Sequence, residues 1–98
     1  MKLIIMLLAL SLFGNAFAGD SVKGAGKYSV CTGCHGSSGE GSAKMGYPRL
    51  AGQSQSQIKG HLLSFKNGSR NNATMKVFAN MLSYEDIENV SAYIATFK

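Results

Sequence analysis

An all-α fold is predicted from three observations. Apolar residues recur at helical spacing in two stretches, first Ile58, Leu62 and Phe65, then Ile87, Val90, Ile94 and Phe97. Helix punctuation stands where those stretches need it, with Gly68 after the first and Ser83 before the second. The alternation of a half-buried strand is missing throughout.

Taken in order, the chain opens with Met1 and Lys2, an apolar run from Leu3 to Phe13, then Gly14, Asn15 and Ala16-Phe17-Ala18. A positive start, a short apolar centre and an A-x-A site describe a secretory signal peptide, cleaved after Ala18, with the product expected in the periplasm. The apolar run falls short of the roughly 18 residues a spanning helix needs, so no transmembrane anchor is expected after cleavage. Residues 19 to 98 then form one domain of 80 residues with nine basic and five acidic side chains. A balance this small and scattered argues for acidic partner surfaces and not for nucleic acid. A domain this short rarely holds a stable core without a disulfide, a metal or another staple.

The first helix of that domain is predicted over residues 22 to 35, although Gly24 and Gly26 cost about 1 kcal/mol each relative to alanine. Gly24, Tyr28 and Cys31 share one face, and a glycine there lets a second backbone approach closely. The helix closes on Cys31-Thr32-Gly33-Cys34-His35, and there is no third cysteine. A Cys31–Cys34 disulfide would close too small a loop to stabilise the domain. Structural zinc takes four ligands, and only three lie here. A thioredoxin-like pair belongs in a βαβ setting, which leaves a haem-free thiol-disulfide oxidoreductase using Cys31 and Cys34 as the alternative. C-x-x-C-H is the attachment sequence for covalent haem. On a helix both thiols reach one edge of a porphyrin, and His35 falls beneath the ring with a nitrogen for the iron. One covalently attached haem c would then supply the core that the domain lacks.

Residues 36 to 53 carry five glycines and the only proline, Pro48, and read as a loop wrapping one haem edge. Ser54 to Asn67 read as a helix with His61 on its flank, a surface residue more than a second haem ligand. A short helical turn is expected near residues 74 to 81. In the closing helix Ser83 is the N-cap, and Glu85, Asp86 and Glu88 favour the positive end of its dipole. Those acids read as helix-start residues, and no catalytic residue is expected.

The pieces KGAGKYSVCTGCH, YPRLAGQ, FKNGSR, MKVFANMLSYEDI and SAYIATFK occur in an order that makes residues 19 to 98 resemble the class I c-type cytochromes. The resemblance is nearest to a single domain of the periplasmic two-haem cytochromes c, or to small one-haem relatives. It implies a cytochrome c fold, with three main helices wrapped around one haem. It implies a one-electron carrier, not an enzyme, serving respiratory partners such as an oxidase, a reductase or another cytochrome. It further implies that the Pro48 carbonyl holds His35 and that the last helix crosses the first at Gly24.

The same resemblance puts the sixth ligand before the last helix, where Met75 and Met81 both stand. Met75, seven residues before Leu82, matches the ligand offset of the two-haem relatives. Met81 is the rival, and Met45 lies in the loop on the histidine side. A thioether ligand favours electron transfer and raises the potential. The remaining alternative is a ligand-binding haem protein with an open sixth site. The two-haem relatives carry a second domain that this chain has no room for, which leaves self-association open. Lys23, Lys27, Lys44, Arg49, Lys59, Lys66, Arg70 and Lys76 are expected to ring an exposed haem edge.

Overall fold

The computed structural model describes residues 19 to 98, so the signal-peptide reading of residues 1 to 18 lies outside the described residues. Five helices follow in order: α1 Ser21–Tyr28, α2 Thr32–His35, α3 Gln55–Asn67, α4 Ala73–Asn80 and α5 Tyr84–Ile94. Among the described residues the sole β-pairing is an isolated bridge between Ser42 and Tyr47. Side-chain caps start four of the helices. The Asp20 carboxylate accepts from the Val22 and Lys23 amides, and Asn72 Oδ1 accepts from the Met75 amide. Ser54 with Gln57 and Ser83 with Asp86 form reciprocal capping boxes, which satisfy amides that a helix start leaves unpaired. Gly68 ends α3 in the left-handed conformation at φ +82°.

The continuous helix expected over residues 22 to 35 is in fact two helices. α1 stops at Tyr28, the Cys31 amide turns back to the Tyr28 carbonyl at 2.8 Å, and α2 restarts at Thr32. A tertiary contact explains the break. The Tyr28 hydroxyl donates to the Gly36 carbonyl at 2.6 Å. In one straight helix that carbonyl would lie about 12 Å further along the axis, while helical side chains lean the other way, toward the N-terminus. The turn expected near residues 74 to 81 is also more regular than anticipated, a helix of two turns over Ala73–Asn80.

The core is organised by α5. Ile87, Val90 and Ile94 are buried on it, and they pack with Tyr28 of α1, Ile58 of α3 and Leu82. Where α1 crosses α5, Gly24 sits directly on the backbone of Asn89. The Asp20 amide donates to Asn89 Oδ1 at 2.8 Å beside this crossing. Phe97 lies beyond the end of α5, yet its ring meets those of Tyr28 and Tyr93, each at 5.1 Å between centroids. Edge-on aromatic packing of this kind adds to simple burial. Two ion pairs tie other helices to α5, Lys27 with Asp86 and Lys59 with Glu88.

Candidate haem-binding site

Cys31 is half-buried, Cys34 is exposed, and the two are not joined in a disulfide. Burial pushes the Cys31 thiol up from its ordinary range, and the neighbouring Cys34 adds to the effect. Redox-active cysteine pairs rely on a depressed thiol pKa. The environment of Cys31 does the reverse, which weighs against the thiol oxidoreductase. Among the described residues no three His, Cys, Asp or Glu side chains converge on a point that could hold a bare metal ion, so these three residues do not form a zinc site either.

His35 is brought to a fixed tautomer by the loop that follows it. Gly36 leaves α2 at φ +89°, and the Gly41 amide returns to the His35 carbonyl at 2.7 Å. Ser42 and Tyr47 exchange backbone hydrogen bonds of 2.8 and 2.9 Å, closing a small hairpin that presents the next residue, Pro48. The Pro48 carbonyl lies 2.8 Å from His35 Nδ1. A carbonyl can only accept, so Nδ1 carries the proton and Nε2 keeps its lone pair. His35 is 8 % exposed, so a nearly buried imidazole has one nitrogen anchored and the other available to a metal. Orienting a ligand histidine through its far nitrogen is how proteins fix ring direction and raise basicity. Tyr28 braces the same turn from the core side. Burial, with the neighbouring Cys31 and Glu40, pushes its hydroxyl up to about 12, so it remains a donor to Gly36.

Beside Cys31 opens an apolar cleft of about 170 Å³, walled by Leu62 of α3, Met75, Phe78 and Ala79 of α4, and Leu82. Val30, Val77 and Met81 are 53 %, 61 % and 65 % exposed. Large apolar side chains left in water on so small a domain mark a surface that something covers. Met75 and Met81 both line the cleft. Met75 is half-buried in the first turn of α4, where the Asn72 cap holds its amide at 3.0 Å. Met81 stands at the far end of the same helix. Two unpaired thiols, an imidazole with a single available lone pair and, beside Cys31, an apolar cleft lined by two thioethers fit a covalently attached haem.

His61 is not free for iron: its Nε2 meets Gln53 Oε1 at 3.1 Å and its Nδ1 meets the Arg70 guanidinium at 2.9 Å. That network was not legible in the sequence, because its members come from three separate segments. Several cations of the expected basic ring are engaged within the molecule. Lys27 and Lys59 are ion-paired, Lys66 donates to the Leu82 carbonyl at 2.6 Å, and Arg49 donates to the Lys98 carbonyl at 3.2 Å. Arg70 is held by His61 and the Phe65 ring. Among the described residues Lys23, Lys44 and Lys76 are the exposed cations of that set with no such partner.

A family model described as cytochrome c matches residues 21–98. Cytochrome c-553 of Helicobacter pylori is 36% identical over 99 residues, covering 100% of both chains. Cytochrome c-554(548) of Halomonas halodenitrificans is 38% identical over 82 residues, covering 81% of this chain and 98% of the relative. Against cytochrome c4 of Pseudomonas aeruginosa the identity is 36%, covering 98% of this chain but 48% of the relative, so the chain spans about half the length of that protein. The crystal structure of reduced recombinant cytochrome c4 from Pseudomonas stutzeri superimposes with a TM-score of 0.75 at 31% identity, over 80% of this chain and 48% of that one.

Proposed function

The chain belongs to the cytochrome c family, an electron carrier with one covalently attached haem c and redox proteins as its partners, and on that premise we propose that His35 and Met75 are its axial ligands. The observation that carries this reading is the Pro48 carbonyl on His35 Nδ1, which turns Nε2 into the only nitrogen of that ring able to bind iron. When bound, the haem supplies the one-electron couple. The chain supplies everything else. Cys31 and Cys34 are the thiols that hold the group, and His35 is pinned from the loop side. Leu62, Phe78, Ala79 and Leu82 would give the group an apolar wall to pack against. Met75 brings a soft sulfur that favours the reduced state. Its position in the half-buried first turn of α4 supports it over Met81, which is mostly in water.

The localisation follows from the sequence: behind the export signal read in residues 1 to 18, a carrier of this kind works in the periplasm. Its partners are redox proteins with acidic docking surfaces, which Lys23, Lys44 and Lys76 are free to meet. The ligand assignment is tested on Met75→Ala and Met81→Ala. Met75→Ala abolishes the sulfur-to-iron charge-transfer band and lets the reduced protein bind carbon monoxide, whereas Met81→Ala retains the band. The reverse pattern would assign the sulfur to Met81.

A further inference from the structure

The polar network around His61 joins the loop that carries Pro48 to the segment that leads into α4. On one side Gln53 Nε2 donates to the Arg49 carbonyl at 2.9 Å, next in sequence to the Pro48 carbonyl that holds His35. Gln53 Oε1 is thereby turned toward His61 Nε2. On the other side His61 Nδ1 faces Arg70, whose amide is anchored on the Ser64 carbonyl at 3.0 Å and whose guanidinium covers the Phe65 ring at 4.7 Å. Arg70 lies in the segment between α3 and α4, five residues before Met75.

Chemistry fixes the protons in this chain. A guanidinium can only donate, so Nδ1 accepts, and Nε2 carries the hydrogen that Gln53 Oε1 accepts. The arrangement therefore requires a neutral imidazole. A second proton on the ring would occupy Nδ1, remove the only acceptor offered to Arg70 there, and set two cations face to face. Nothing nearby compensates. Among the described residues no carboxylate lies within ion-pair distance of His61. On α3 Lys59 is engaged by Glu88 of α5 and Lys66 by the Leu82 carbonyl. The remaining charge on α4 is Lys76, whose ammonium lies over Gly68 and adds positive charge.

We infer that His61 is a positioning residue that ties the Arg70 segment, and with it the α4 segment bearing Met75, to the Pro48 loop, and that acid releases the α4 side alone. The Nε2–H bond to Gln53 survives protonation, so the loop that orients His35 stays in place. The consequence for the iron rests on the assignment of Met75, but the release itself does not.

The test is amide exchange by NMR on the reduced holoprotein between pH 8 and 5, in the natural sequence, His61→Gln and Arg70→Gln. A hydrogen bond contributes about 0.5–1.5 kcal/mol, so the Arg70 and Gly68 amides should lose protection by roughly two- to tenfold as the bond from Arg70 to His61 is lost in acid. The Gly41 amide, bonded to the His35 carbonyl, should not change. Neither variant should show the pH step. A flat profile in the natural sequence, a step that persists in both variants, or an equal loss at Gly41 would overturn the inference. Retention of the sulfur-to-iron band in Met75→Ala would instead refute the ligand assignment and leave these exchange readouts as they are.

Discussion

A methyl group placed on Gly24 would meet the Asn89 carbonyl oxygen at 2.0 Å, so the α1–α5 crossing admits no side chain there. The obstacle is backbone and cannot rotate away. We expect Gly24→Ala to destabilise the folded holoprotein by about 1–3 kcal/mol or more, as overpacked cores do. Gly60 of α3 provides the control, since it lies outside the cleft and nothing lies within 4 Å of its added carbon. Gly60→Ala should leave stability equal or raise it by up to about 1 kcal/mol. Guanidinium unfolding of the two variants, read against the natural sequence, separates them.

Loss of both thiols should remove the core. The buried apolar cluster is small, and the cleft walled by Cys31, Leu62, Phe78 and Leu82 is apolar surface that a haem would turn into core. Cys31→Ala combined with Cys34→Ala is therefore expected to leave a largely unfolded chain, because a domain of this size lacks buried area of its own. Circular dichroism should show little cooperative melting. A native-like melt without haem would show that the protein core suffices.

Asp86 should make stability fall in acid. Its carboxyl is held below the usual carboxylate range chiefly by the Ser83 amide, with Lys27 contributing. Glu40 is depressed in the same direction by backbone amides, its own and that of Ser38. A group whose folded pKa is lowered stabilises the fold above its unfolded value, about 4 for these carboxylates, and loses that contribution as pH falls through the folded value. Melting temperatures from pH 6 down to 2.5 should therefore drop, and Asp86→Asn should shallow the drop by up to about one proton's worth of slope. An unchanged slope in Asp86→Asn would remove Asp86 from the account.

Lys76 is exposed, free of any ion pair and adjacent to Met75. Lys76→Glu should slow electron transfer to an acidic redox partner and flatten the salt dependence of the rate. The reduction potential should move little, since solvent and salt screen an exposed charge. Stopped-flow rates across an ionic-strength series decide it, and an unchanged rate and slope would leave the lysine without a docking role.

What was legible in the sequence was whatever is written in neighbouring residues. The C-x-x-C-H motif, the Ser83 cap, the Gly68 stop and the Gly24 contact face each depend on a few adjacent positions, and each stands where expected. The break after Tyr28 was not legible. Ser29 and Cys31 keep nearly helical backbone angles, so no local signal marks it, and its cause is a hydrogen bond to Gly36. The engagement of Lys66 with the Leu82 carbonyl escaped for a related reason. A periodic pattern says which face a lysine occupies, but not which carbonyl a distant turn will bring beneath it.

The crossing of α1 and α5 also governs when the molecule can close. The Asp20–Asn89 bond spans 69 positions, and Tyr28 reaches its ring partners only in Tyr93 and Phe97. Contacts so far apart in the chain form late, because the loop between them must be closed before they repay it. Until α1 and α5 meet, Gly24 lacks the backbone it sits on and Tyr28 lacks both of its ring partners, so the crossing is among the last contacts that folding can complete.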